Sequence, residues 1–330
     1  MSTAPVCSIV IRAYNEEDHI GRLLTGIMEQ NLKEVEIIVV DSGSSDATVA
    51  IASRFPTRIL SIAPHEFTFG RSLNIGCSAA RGKFLVFASA HVYPLYQDWL
   101  ETLIEPFTDA TIGMVYGKQR GDGNTHYSEH QQFQRMFPDH SIVPQTHPLC
   151  NNANAAIRRS LWEQRPFDEA LSGLEDLEWA TWLLGQGHLL AYNADAEVVH
   201  VHNEMPRQVF RRYEREAIAL SRIRPEEKFS FGSFLRLYLS NVFSDSLQAI
   251  RDRRFPRALW SILWFRWMQF LGTFVGFRHA GPVTDEVIQA FYYPNRKSSS
   301  VRQQDRKLTQ IDYSAAARRG LNTEVDDSRE

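Results

Sequence analysis

Adjacent carboxylates at Glu175 and Asp176 close the segment Gly173-Leu174-Glu175-Asp176, and the chain then runs through Leu177, Glu178 and Trp179 into apolar residues up to Leu184. Acids at such a loop-to-helix junction have an ordinary use, because first-turn amides and the positive end of the helix dipole favour them. Their chemical use is proton transfer: a carboxylate within hydrogen-bond reach of a hydroxyl can serve as its general base. Asp176 is read in that role and Glu175 as the group that binds or orients the hydroxyl compound, although residue type alone would allow the two to exchange. A second set is Asp41-Ser42-Gly43-Ser44-Ser45-Asp46. Asp41 can accept hydrogen bonds from a base or ribose, and Gly43 permits the close backbone approach that nucleotide binding needs. Asp46 reads as a cap for the helix that follows. Histidines form a third set: His91 in residues 88–94 and, further on, His200 and His202.

These groups need elements that bring them to one edge. Residues 6–11 are β-rich and mostly apolar, and Tyr14-Asn15-Glu16-Glu17 follows as a polar break, so a strand ends there. Ile20, Leu23, Leu24, Ile27 and Met28 recur at helical spacing. Residues 35–40 form an almost continuous apolar run of the kind buried on both faces of a parallel sheet, ending in Asp41, with a short helix from about Ala47. Residues 58–62 read as a third strand and 72–80 as a helix stopped by Gly82. A fourth strand over 84–87 leaves His91 at its carboxyl end. Strand, polar loop and helix in alternation predict an α/β fold, whose ligands bind outside the carboxyl ends of the strands. Beyond it, 99–107 reads as a helix, 112–116 as a strand, and 121–148 as a long irregular excursion. The irregular spacing of its His126, His130, His140 and His147 argues for a surface loop over a metal cluster. Residues 151–157 return to the sheet, and 197–202 alternate so that His200 and His202 share one face, read as wet, opposite Val199 and Val201. A helix opening near Pro206 carries Arg207, Gln208, Arg211 and Arg212. Arg207 or Arg211 is placed to meet a diphosphate, with a solvated basic face as the plain alternative.

The 330 residues, 43 % hydrophobic, suffice for one large α/β domain or two smaller ones. A formal charge of −3 and a sequence pI near 6.4 give no basic field for nucleic acid. Cys7, Cys77 and Cys150 are odd in number and lack metal-type spacing, so neither a disulfide framework nor a zinc knuckle is expected. The N-terminus shows no charged region followed by an apolar run, which predicts a cytoplasmic protein. Gly121-Asp122-Gly123 does not complete a dinucleotide fingerprint and no Walker A loop occurs, which disfavours a nicotinamide dehydrogenase or a P-loop kinase.

Taken together, Tyr14-Asn15-Glu16, the run from Asp41 to Thr48, Gly70-Arg71 with Asn74, Ala80-Arg81-Gly82 with the strand after it, and Glu175-Asp176 resemble the family-2 inverting glycosyltransferases of the GT-A fold, in particular the bacterial rhamnosyltransferase-like members. Singly these signals are weak; their order along the chain makes the resemblance specific. It implies a GT-A (Rossmann-like) α/β fold, a mostly parallel sheet flanked by helices. It also implies a nucleotide-sugar donor held by Tyr14, Glu16 and Asp41, with Arg71 near the diphosphate, and Asp176 as the base that deprotonates a glycan or lipid-linked acceptor. The same resemblance puts a histidine near the diphosphate, here His202, beside Arg211. One departure matters: where the family carries a metal-holding aspartate after the fourth strand, this chain reads Ser89-Ala90-His91. Mg²⁺ prefers oxygen ligands and imidazole suits softer ions. Either His91 and His202 hold a divalent ion such as Mn²⁺ in place of Mg²⁺, or the His91 imidazole contacts phosphate directly. Two other readings stay open. One is a catalytically silent relative that binds nucleotide or glycan. The other is a sugar-phosphate nucleotidyltransferase, which would carry a basic Gly-rich loop where Tyr14-Asn15-Glu16 stands.

Three regions are expected: a catalytic domain over 1–222, a helical region over 223–296 and a flexible tail over 297–330, polar and without apolar periodicity. Residues 231–250 and 257–277 are long helical candidates, the second rich in Trp and Phe but interrupted by Arg257, Arg266 and Gln269. They suit packing on the catalytic domain, peripheral contact with the inner face of a membrane, or a homo-oligomer, better than a span.

Overall fold

The computed structural model describes residues 4–279 and 309–313. Its first part alternates β1 (Cys7–Ala13), α1 (Ile20–Met28), β2 (Val35–Asp41), α2 (Thr48–Ala52), β3 (Thr57–Ser61), α3 (Phe69–Ala79) and β4 (Phe84–Ser89). These strands lie in the order β3-β2-β1-β4, all parallel. The apolar runs work on both faces: Ile9 and Ile11 of β1 enter one core layer with Leu23 and Leu24 of α1, while Val10 enters the other with Leu73 of α3. Each such side chain contributes roughly 1.5–3 kcal/mol of burial. Register pairs Ala13 with Asp41 and Arg12 with Ser89, so the three loops that follow β1, β2 and β4 open at one edge.

The sheet continues through β5 (Val92–Pro94), α4 (Trp99–Ile104), β6 (Ile112–Arg120), α5 (Tyr127–Met136), β7 (Ile142–Gln145), β8 (Asn154–Arg158), α6 (Arg159–Gln164), α7 (Glu175–Gly185) and β9 (Leu189–His200). Next to β4 come β8, β6, β9 and β5, with β7 on β9, which makes a 9-stranded mixed sheet among the described residues. Asn154, fully buried, holds its middle together. Its amide donates to the Lys118 and Ala196 carbonyls at 3.1 and 2.8 Å, and its oxygen accepts from Trp99 Nε1 at 2.9 Å.

Three local expectations are corrected. Residues 121–148 are no irregular excursion, since they form α5 and β7. The buried side of α5 includes Ser128, Glu129 and Gln131 beside Tyr127 and Phe133, so hydrophobic periodicity cannot reveal it. The turn at 88–94 contains β5, which is short and pairs only with the distant β9. Helix α3 begins at Phe69, before Ser72, because Thr68 Oγ1 accepts from the Arg71 amide at 3.1 Å and caps it there.

After β9 come α8 (Pro206–Ile223), α9 (Phe231–Arg251) and α10 (Phe255–Gly276). Helices α8 and α10 cross closely at Gly272 and Gly276, where an added Cβ would meet the Phe210 and Glu214 carbonyls at 2.4 Å. No helix among the described residues is long and apolar enough to cross a membrane. Of the expected tail over 297–330, residues 309–313 are described, and they pack on the sheet. Gln310 bridges to Tyr96, Ile311 donates to the Leu95 carbonyl, and Tyr313 donates its hydroxyl to the Pro94 carbonyl at 2.7 Å. The rest of that region, and 280–296, lie outside the described residues.

Candidate active site

A cleft of about 770 Å³ opens where β1 and β4 end and β9 runs into α8. Its lining includes Tyr14 and Glu16 from the loop after β1, His91 from the loop after β4, both acids of Glu175-Asp176, and His200 and His202. Residues from well-separated parts of the chain thus converge on one volume.

The loop leading to the acids is clasped from α3. Asn74 Nδ2 donates to the Phe167 carbonyl and to Glu169 at 2.9 Å, while Asn74 Oδ1 accepts from the Phe167 amide and Trp162 Nε1 at 3.0 Å. Gly70 lets the Asp168 carbonyl approach to where a Cβ would sit 2.4 Å away. Leu174, with φ 56°, then turns the chain into α7 through the left-handed region, which costs a non-glycine residue about 1–3 kcal/mol. Both acids are buried, Glu175 to 5 % and Asp176 to 8 % exposure. Glu175 Oε1 accepts from Arg12 Nη1 at 3.1 Å. Asp176 accepts from the Asn152 amide at 3.0 Å and the Leu177 amide at 2.8 Å, bonds that fix its orientation. Burial, and then the adjacent Glu175 charge, push Asp176 up to about 7 despite these amides and Arg12. Asn152 Oδ1 is buried and has no hydrogen-bond partner.

The histidines meet. His91, His200 and His202 offer nitrogen atoms within 4.8 Å of one another, and the rings of His200 and His202 lie 4.0 Å apart. Each imidazole has an oxygen partner at Nδ1: Glu16 for His91 at 2.9 Å, Gln119 for His200 at 2.7 Å, and Glu129 for His202 at 2.7 Å. Such outer partners fix the tautomer and aim the other ring nitrogen. His200 Nε2 is buried with no hydrogen-bond partner. Burial, helped by His202 and His91, drives His200 well below the ordinary histidine range. For His91, burial alone would lower the pKa, yet the Glu16 carboxylate raises it overall. The histidine face of β9 is therefore not wet, as His200 is 6 % exposed and Phe133 of α5 stands 6.0 Å from its ring.

Other expected residues fall elsewhere. Asp41 is buried at the end of β2 and is not part of the cleft lining. Its carboxylate accepts from the Gly43 and Ser44 amides at 3.1 Å and shapes the loop beside Asn15. Arg71 pairs with Glu66 at 3.1 Å on the surface, outside the cleft lining; its motif neighbours Gly70 and Asn74 act on the loop before the acids. Arg211 lies 3.7 Å from Glu214 and is likewise outside that lining. Gln208, Arg212, Arg215 and Glu216 line the cleft instead, spaced as one helix face, so the sequence reading of α8 is off by one residue in register. Arg212 donates to Glu129 and Glu204 at 2.6 Å, and Arg215 lies over the Phe69 ring, 4.8 Å from its centroid. Glu129 is a further residue the sequence reading missed, and His200, which that reading placed on one face with His202, was not assigned to the ion. His200 could have been included from its two-residue offset to His202, whereas Glu129 sits on a helix with no apolar signature.

Comparison with known proteins bears on the fold and on what the chain is similar to. The profile of "Glycosyl transferase family 2" matches residues 8–165. The chain is 30 % identical over 198 residues to the O-antigen chain rhamnosyltransferase WbaN of Salmonella anatum, a match covering 56 % of this chain and 62 % of that protein. It is 29 % identical over 220 residues to the O-antigen chain rhamnosyltransferase RfbN of Salmonella typhimurium, covering 62 % and 69 %. Among solved structures, the mannosyltransferase PcManGT of Pyrobaculum calidifontis, in complex with GDP-Man and Mn²⁺, superposes with a TM-score of 0.58 at 19 % identity over 84 % of this chain and 88 % of that one. Residues 1–349 of S. aureus TarS, in complex with UDP, superpose at 0.51 and 15 % identity over 93 % and 98 %. The solved structures confirm the GT-A architecture, and the ordered motifs together with the profile match over residues 8–165, just under half of the chain, make that part of the chain similar to glycosyl transferase family 2.

Proposed function

We propose that residues 1–222 transfer a sugar from a nucleotide-sugar donor to a hydroxyl of a glycan or lipid-linked acceptor with inversion, at the cytoplasmic face of a membrane. The observation that carries this reading is Asp176: an oriented carboxylate in the cleft whose proton affinity, raised to about 7, suits a base working near neutral pH. The acceptor hydroxyl gives its proton to Asp176 as its oxygen attacks the anomeric carbon. The bond from that carbon to the phosphate oxygen breaks on the opposite face, and the nucleoside diphosphate leaves. Glu175, held by Arg12, orients the acceptor. Tyr14 and Glu16 contact the nucleotide, and Asp41 reads it from the turn it shapes. Arg212 and Arg215 replace Arg71 and Arg211 as the cations nearest the leaving diphosphate.

A divalent ion fits the histidine group. His91, His200 and His202 would hold it, and the buried, unpartnered Nε2 of His200 is the feature that favours an ion there. Three imidazoles suit a transition ion, Zn²⁺ more than Mn²⁺, and do not suit Mg²⁺. Bound, it would supply positive charge to the diphosphate. PcManGT was solved with Mn²⁺ and GDP-Man, and the same pairing of ion and nucleotide sugar is carried to this chain as part of the reading.

Screening nucleotide sugars for protein-dependent hydrolysis and thermal stabilisation identifies the donor, and the anomeric configuration of the product, read by NMR, tests inversion. Donor binding and turnover are then measured together on Asp176→Asn. Intact binding with turnover lowered roughly 10²–10⁴-fold is expected, and near-normal transfer in the folded variant would falsify the base assignment. Loss in Glu175→Gln alone would move the base to Glu175.

A further inference from the structure

The hairpin of α9 and α10 is apolar on two sides: Phe234, Ala249, Ile262 and Phe265 are buried against the rest of the chain, and a second apolar stripe faces outward. Its buried side carries Asp245 at 0 % and Arg266 at 2 % exposure, joined at 2.7 Å, and Arg266 also donates to Gln269 and to the Ser128 carbonyl of α5. Its outer side carries Phe231, Leu235, Leu239, Phe243, Leu247 and Ile250, all exposed and spaced three or four residues apart along α9. Trp260 of α10 is 76 % exposed, and Trp267, two turns further on, stands 5.1 Å from Phe234 of α9. A stripe this long, about 30 Å over 21 residues, is far more than the scattered apolar residues of a water-facing surface.

The charges around the stripe select its partner. Arg236, Arg251, Arg253, Arg254 and Arg257 are exposed at its edge and at the turn between the helices. The acids of 231–279 are Asp245, buried against Arg266, and Asp252, engaged by Tyr127 and Gln248. An identical copy of the hairpin would bring arginine against arginine, whereas anionic headgroups complement these guanidiniums while acyl chains receive the Phe, Leu and Trp side chains. We infer that this face is a peripheral docking surface for an anionic lipid bilayer, with α9 lying in the interfacial plane. The purpose of that contact, delivery of a lipid-linked acceptor, rests on the transfer reading above, while the contact itself does not.

The full chain is mixed with phosphatidylcholine vesicles and with vesicles in which about one lipid in three is phosphatidylglycerol, and bound protein is separated by flotation. Binding to the anionic vesicles is expected, weakened by high salt and accompanied by a blue shift of tryptophan fluorescence that is reduced in Trp260→Phe. Leu239→Asp and Phe243→Asp alter exposed positions and should abolish flotation, with circular dichroism and nucleotide-dependent thermal stabilisation unchanged. Arg254→Glu should lower the partition coefficient at least about fivefold, since one basic residue near such a surface contributes roughly that factor. Absence of flotation with either vesicle overturns the inference. So does a vesicle-free dimer, seen by analytical ultracentrifugation, that Phe243→Asp dissociates, because the face would then be filled by a second copy. Failure of the transfer reading would appear as absent donor binding or turnover and would leave flotation unchanged.

Discussion

Glu175 and Asp176 set like charges side by side at the cleft, whereas Asp245 and Arg266 set opposite charges 2.7 Å apart inside the C-terminal hairpin. Both sets are buried, but the electrostatic outcome differs. In the hairpin both buried charges have partners within reach: Arg266 meets Asp245, Gln269 and a carbonyl, and Asp245 also meets Arg135. At the cleft the pair is left with a mutual repulsion that Arg12 only partly offsets, and Asp176 retains its proton to about pH 7. Neutralised burial fixes an orientation of helices; unneutralised burial raises proton affinity where a base is useful.

The sharpest way to separate the two is to break each. Asp176→Asn should reduce turnover by roughly 10²–10⁴-fold while the fold persists, as judged by circular dichroism. Arg266→Ala should do the reverse. It strands Asp245 without its main partner inside the hairpin, so chemical denaturation should report a loss of about 3–5 kcal/mol, with donor affinity held in whatever fraction remains folded. Between these extremes lies Asn74→Ala, which leaves the Phe167 amide and Trp162 Nε1 unpaired and should cost about 1–3 kcal/mol. Turnover should fall too, as the loop carrying Glu175 and Asp176 loosens.

Proton linkage gives a subtler comparison. Because the folded state holds the Asp176 proton above its ordinary carboxylate value, stability from this group is present at low pH and is lost as pH rises through about 7. The melting temperature of the unsubstituted protein should therefore fall relative to Asp176→Asn between about pH 4 and pH 7 and change little above that. Any hydrogen bond lost to the Asn152 amide in the variant is independent of pH and cancels in this difference. The rate should move oppositely, rising with pH and levelling off above about 7 as the base ionises. Smallest of all is Arg211→Ala, expected within about 0.5 kcal/mol of the parent and without effect on donor binding, in contrast to Arg212→Ala.

The sequence carries the parallel half of the sheet plainly, because runs such as Ile37 to Val40 have no other stable use than a strand buried on both sides. The acid pair at the start of α7 and the convergence of His91 with His202 could also be read from motif order. What sequence pattern could not convey was α5, whose buried side is largely polar, and β5, whose three residues have meaning only against β9. Missing α5 hid Glu129, the partner of both His202 and Arg212. Arg212 lines the cleft where Arg211 does not for a simpler reason, as one residue on a helix turns a side chain by about 100°.

The pairing of β5 with β9 joins Val92 to His200 across about half of the domain, and β4 reaches β8 over a shorter but still long gap in sequence. Contacts this remote close late on a folding trajectory, after the local strand-helix-strand units have formed. The His91 imidazole joins those of His200 and His202 only at that last step. Refolding should therefore recover helical ellipticity and apolar burial before it recovers ion or nucleotide affinity, and the delay between those signals would time the closing of the sheet.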